Sequence, residues 1–225
     1  MPYRRTENVT RKLAARHDAI MAAARALAAE GGMARVQIAA VAERAGIAAG
    51  TVYRYFPSKT ELVEALVAAE SAAEIAALAR AAEAAPGPLS ALAAAIVTYA
   101  ARALANRRLA FALVAEPVEP ELDSLRARHR VALAGEIEKR LRAALERNLL
   151  PAQDAGTAAA ALVGALIEGL IGPLAPAVTQ NPDDIRARVQ TLALFALRGL
   201  GVVDARARGL VVQAALPAPA PRQTQ

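Results

Sequence analysis

Thr51, Tyr53, Arg54, Tyr55 and Lys59 bring hydroxyl, guanidinium and ammonium groups into one short stretch. Each of these groups donates hydrogen bonds to phosphate oxygens or base edges. That chemistry is recognition of a polyanion rather than the making of bonds. Each residue also has a plainer reading: Tyr53 as a half-buried ring, Arg54 as a solvated charge, Lys59 as a helix-start cation. The surrounding stretch, 37–59, reads QIAAVAERAGIAAGTVYRYFPSK. Ile38, Val41 and Ala42 have the spacing of one helix face, Gly46 stands where a helix must stop and reverse, and Ile47 and Val52 supply the next buried contacts. The spacing predicts a helix, a tight turn and a second short helix whose outer side carries the donors.

Charge placement points the same way. Residues 1–60 hold ten Arg and Lys against four Asp and Glu, a net of +6, which equals the net charge of the whole 225-residue chain. The remaining residues therefore balance to zero. A cationic end steers toward a polyanion, with an affinity that falls steeply as salt rises. Arg4, Arg5, Arg11 and Lys12 add either an arm for a groove or phosphate, or a basic segment without defined contacts.

The elements that position these groups are helical. Alanine dominates and aromatic residues are 3 % of the chain, a helix composition rather than a sheet composition. The fold expected is all-α, with a three-helix helix-turn-helix domain over 1–60, a larger helical regulatory and dimerisation domain over 61–205 and a flexible tail over 206–225. Predicted helices run over 9–30 (burying Leu13, Ile20, Ala23, Ala24 and Leu27), 37–45, 49–55, 58–84, from 88, 107–115, 121–148, 153–174 and from 182. Ser58 with Glu61 reads as a capping box for the fourth. Asn181, Pro182 and the Asp183-Asp184 pair read as the start of the last.

Several functions are disfavoured. Cysteine is absent, and His17 and His129 lack metal-ligand spacing, so no metal is expected. No glycine-rich phosphate loop or nucleophile with a base is present, so neither an enzyme nor a cofactor is expected. The basic first eighteen residues lack an apolar core, which argues against a secretory signal and for a cytoplasmic protein. The stretch 155–179 approaches membrane-span length, but Glu168 and several Gly and Pro interrupt it, so it reads as a helix buried between protein surfaces.

Over 16–66 the chain resembles the tetracycline-repressor (TetR) family of bacterial transcriptional regulators. The resemblance rests on Ile20, Ala23-Ala24 and Leu27, the Gly32 stop, Val41 to Ile47, Gly50-Thr51-Val52-Tyr53, and Tyr55-Phe56-Pro57-Ser58-Lys59-Thr60-Glu61-Leu62. It implies a homodimer that places two recognition helices in successive major grooves of operator DNA, about 34 to 36 Å apart. It maps DNA contacts to Gln37, Ala48, Ala49, Gly50, Thr51, Tyr53, Arg54, Tyr55 and Lys59. Three departures stand out: Val36 and Ala48 replace frequent Ser or Thr, and Ala28 replaces a frequent Phe, which loosens the small core unless neighbours compensate.

In the helical remainder the resemblance implies a small-molecule effector that releases DNA, with polar candidates Tyr99, Glu116, Arg126, His129 and Glu168 and an aromatic wall at Phe111. An effector-independent DNA-binding regulator or architectural protein is the alternative. Ala161, Ala165 and Gly169 recur every four residues, which predicts close helix packing. The apolar surplus of the last two predicted helices predicts a dimer seam through Leu162, Ala165, Leu166, Gly169, Val189, Leu192 and Ala196.

Overall fold

A computed structural model describes residues 3–116, 120–177, 179 and 181–214. Among them are ten α-helices, one short 3-10 turn and no strand. Helix α1 (Tyr3–Gly31) precedes the 3-10 turn Met33–Arg35, followed by α2 (Ile38–Arg44) and α3 (Ala49–Tyr55). The all-α expectation holds, and the 3-10 turn is an addition to it. Leu13 is 44 % exposed rather than buried, because α1 extends beyond the elements that cover its second half.

The turn between α2 and α3 follows from one glycine. Gly46 adopts φ 65°, its N–H donates to Glu43 O at 3.1 Å and the Ile47 N–H donates to Ala42 O at 3.0 Å. That is a Schellman closure, in which a left-handed residue satisfies the last helix carbonyls. Helix α4 (Lys59–Glu83) then begins at Ser58, whose Oγ accepts the Glu61 N–H at 3.1 Å.

Two cores result, and α4 joins them. Its first half buries Leu62, Val63, Leu66 and Val67 with Ile20, Val41, Val52 and Phe56; its second half buries Leu78 and Ala82 in the larger core. Ala28 is fully buried in the smaller core, where Leu109 and Ala112 of α6 (Arg107–Val114) supply apolar volume. Helix α6 thus plugs the smaller core as well as serving the larger one.

Helix α5 (Pro88–Ala105) is the axis of the larger domain and packs against α4, α7 (Pro120–Leu145), α9 (Pro182–Gly199) and α10 (Asp204–Gln213). By length and composition it is apolar enough to cross a membrane, yet Leu92, Ile96 and Ala100 are fully buried within protein, as in any central helix. Helix α8 (Ala155–Leu170) starts at Asp154, whose carboxylate accepts the Thr157 N–H at 2.7 Å. It ends before the expected position near 174. Where α8 passes α9, a Cβ on Gly169 would stand 3.0 Å from Leu192 Cδ2, so the small residue permits the close approach.

Helix α10 differs from the flexible tail expected over 206–225. Ala207, Leu210 and Val211 are buried on it, and Asp204 accepts Arg198 Nε at 2.7 Å and Arg208 Nε at 2.9 Å. A ten-residue helix needs tertiary burial to persist, and a weak local pattern conceals such an element. Residues 215–225 and the 117–119 part of the proline-flanked break lie outside the described residues.

Candidate functional site

Helix α3 faces the small core with Val52, fully buried, and the C-capping Phe56 is also buried beside it. The helix period then turns Ala49, Gly50, Tyr53 and Arg54 outward, all exposed, with Thr51 at the margin. Tyr53 is 52 % exposed. Neither Arg54 nor Lys59 has an ion-pair partner among the described residues. Lys59 opens α4, where unpaired amides and the helix dipole favour an anion. Ala48 is the N-cap of α3 and, having no side-chain acceptor, leaves the cap to backbone geometry alone. Gln37 is exposed and donates through Nε2 to Ala34 O at 2.9 Å, which holds its amide beside the start of α2.

Tyr55 stands apart from its neighbours. Its hydroxyl is buried and has no hydrogen-bond partner, and its ring lies 6.5 Å from that of His17. The side chain turns toward α1 and the small core rather than outward. Two of the arginines counted in the cationic end are also committed within the chain: Arg44 forms a two-pronged pair with Glu30, whose carboxyl it holds below the ordinary range, and Arg25 donates to Glu70 at 2.9 Å. Arg4 and Arg5 lie outside the described side chains.

A second site lies between α1, α4, α5, α6 and α7. It is a cavity of about 300 Å³ whose walls include Val67, Leu109, Leu113 and Val114. Tyr99 and His129 line it; Ser71, Glu74 and Arg102 line it as well and were not singled out, because α4 reads in sequence as a linker with a solvated acidic face. Ser71 Oγ lies 2.7 Å from His129 Nδ1, and Arg102 Nε donates to Glu74 Oε2 at 2.9 Å. Burial raises the Glu74 carboxyl, with Arg102 opposing; burial and then the Glu74 charge push the Tyr99 phenol well up; burial and then Arg130 hold His129 below its ordinary range.

The four other effector candidates do not line this cavity; Glu116 and Arg126 line a second one and Glu168 a third. Arg126 is buried and caps the end of α6, donating to Leu113 O at 3.2 Å, Ala112 O at 2.6 Å and Glu116 O. Glu116 accepts the Met33 N–H at 2.9 Å and Arg108 Nη2 at 3.0 Å, and Arg108 also donates to Gly31 O at 3.0 Å. Phe111 lies under the Arg108 guanidinium, 5.7 Å from its ring centre. Glu168 accepts the Leu174 N–H at 2.8 Å past the end of α8. Buried or half-buried charges take such roles because each needs a partner. Arg108 and Glu116 tie α6 to the end of α1, and Arg126 ties α7 to the end of α6.

Of the residues assigned to a dimer seam, Leu162, Leu166, Val189 and Ala196 are buried in the chain's own core. Ala165, Gly169 and Leu192 are part-exposed, and on the same helices Ala160, Ala161, Gly164 and Phe195 face outward, Phe195 with 60 % of its surface free.

A cationic helix-turn-helix module joined to further helices that enclose a cavity defines a class of architecture: an all-helical chain with a helix-turn-helix near its amino end. Residues 20–66 match the family described as bacterial regulatory proteins, tetR family, and over that stretch the chain resembles its members. It is 53 % identical over 55 residues to the HTH-type transcriptional repressor KstR of Rhodococcus jostii, a match covering 24 % of this chain and 26 % of that protein. The match thus spans about a quarter of that relative's length. The fold as a whole is similar to the SmeT-triclosan complex (TM-score 0.68, 23 % identity, 92 % of this chain and 99 % of that one). It is also similar to RolR in complex with resorcinol (TM-score 0.62, 24 % identity, 94 % and 100 %).

Proposed function

We propose that this protein is a DNA-binding transcriptional regulator, a homodimeric repressor in the cytoplasm that a small-molecule effector releases from operator DNA. The observation that carries the reading is the outward face of α3, where Thr51, Tyr53 and Arg54 stand together with Lys59 at the head of α4 and no ion pair among the described residues engages the two cations. Arg54 and Thr51 read base edges, while Tyr53, Lys59 and Gln37 hold phosphates. Ala48, Ala49 and Gly50 let the helix start come close to the backbone of the duplex.

Effector response is supported by the cavity beside α6, the helix that plugs both domains, and by the ligand complexes of the structurally similar SmeT and RolR. Dimerisation is supported by the outward apolar residues of α8 and α9. The reading is tested by mobility shift against a library of short palindromic duplexes across a salt series. The native chain retains one family of palindromes, and Arg54→Ala both weakens binding and relaxes the preferred sequence by about 1 to 3 kcal/mol at one position. Equal affinity for all duplexes, or none for any, sinks the proposal.

A further inference from the structure

The cavity beside α6 has a chemistry that narrows what it accepts, given the proposed effector role on which this inference rests. Its ionised groups come in pairs: Glu74 with Arg102, and Glu70 with Arg25, both at 2.9 Å. His129 is held uncharged by burial and by the neighbouring Arg130, and its Nδ1 is taken by Ser71. The lining is therefore electrically balanced. A carboxylate ligand would face Glu70 and Glu74, and an ammonium ligand would face Arg25 and Arg102; either brings a like-charge cost into a poorly hydrated site. One polar need is left unmet. Glu74 Oε1 is buried and accepts no hydrogen bond, while its sister oxygen is occupied by Arg102. An unsatisfied buried acceptor is costly, and a ligand that supplies the donor recovers part of that cost. The terminal torsion of a glutamate is soft, so the carboxylate turns toward an incoming donor at small cost. The remaining walls, from Val67, Ala103, Leu109, Leu113 and Val114, are apolar.

We infer that this cavity binds a neutral, mainly apolar small molecule carrying a hydroxyl donor, and that Glu74 reads that hydroxyl. Tyr99 adds an aromatic ring to the lining, which suits a cyclic or aromatic body.

The test uses the full chain and four probes of one shape: para-propylphenol, its methyl ether, para-propylbenzoate and para-propylbenzylamine. Calorimetry and thermal shift measure each against the native protein and Glu74→Gln. The phenol is expected to bind the native protein about tenfold more tightly than each of the others, the size of one good hydrogen bond. In Glu74→Gln the amide offers a donor where the acceptor stood, so the preference for phenol over ether falls about tenfold or reverses. An ether that binds as well as the phenol, or a benzoate or benzylamine that binds best, overturns the inference. So does the absence of binding by all four, and salt-dependent DNA binding in the same preparation then leaves the regulator reading standing. Conversely, a phenol that binds as expected but leaves DNA affinity unchanged upholds the chemistry and removes the effector role.

Discussion

Arg108 and Glu116 form an ion pair at 3.0 Å that closes over the end of α1: the arginine also donates to Gly31 O, and the glutamate also accepts the Met33 N–H. Gly32, between the two backbone partners, adopts φ 79°, and a Cβ there would collide with Arg108 Nη2. The end of α1 and the cavity helix α6 therefore share one polar clasp. Because the two side chains act as a unit, a double-mutant cycle of Arg108→Ala and Glu116→Ala should show a coupling of about 0.5 to 3 kcal/mol in urea unfolding. Strict additivity would mean that the clasp is incidental.

Tyr55→Phe separates the two tyrosines of α3. Removing a buried hydroxyl without a partner should leave DNA affinity unchanged and hold or raise stability by up to about 1 kcal/mol. Tyr53→Phe, at an exposed position, should weaken binding to every duplex alike. A loss of DNA affinity in Tyr55→Phe would show that its hydroxyl reaches the duplex.

Lys59→Ala addresses the head of α4. Removing one phosphate contact should lower affinity uniformly and make the slope of log affinity against log salt shallower by about 0.9. Titrations between low and physiological salt measure this directly. An unchanged slope excludes Lys59 from the phosphate contacts.

His129 gives the protein a pH signature. Its folded pKa is lowered, by burial first and by Arg130 second, from the ordinary value of 6.5. The unfolded chain thus takes up the proton first as pH falls. The contribution of neutral His129 is complete above about pH 6.5 and is lost progressively as pH falls through the lowered folded value. Ser71 and, across the cavity, Glu74 and Tyr99 share this environment, and the raised Glu74 carboxyl acts in the opposite sense. Urea midpoints at about pH 7.5 and about pH 5.5 should therefore fall less for His129→Gln than for the native chain. Equal falls would contradict the assignment.

The oligomer test belongs at an exposed position. Leu166 is 1 % exposed, so a charge there unfolds the chain instead of parting subunits. Phe195→Glu places the charge on the outer face of α9 and should shift sedimentation from dimer to monomer with the helical signal retained. A dimer that survives it places the interface elsewhere.

The turn at Gly46, the Ser58 and Asn181 caps and the inward period of α3 were all legible in the residues themselves. Those signals act over a few positions and are governed by backbone geometry and hydrogen-bond closure within one turn. The family likeness was legible for the same reason, since it resides in that contiguous stretch. By contrast, the intrachain partners of Glu116 and Arg126 were not legible, because sequence shows that a charge lies in an apolar neighbourhood without showing its partner.

The sequence alone determined an all-helical chain with a cationic helix-turn-helix at one end, because helix period, caps and net charge are local or additive properties. Tertiary structure alone decided that Tyr55 turns inward and that Leu162, Leu166, Val189 and Ala196 serve the chain's own core. It also decided that Glu74 meets Arg102 across a cavity, and that α10 folds onto α5 and α9. Each depends on which faces meet across long stretches of chain, and that is settled by burial summed over the whole molecule.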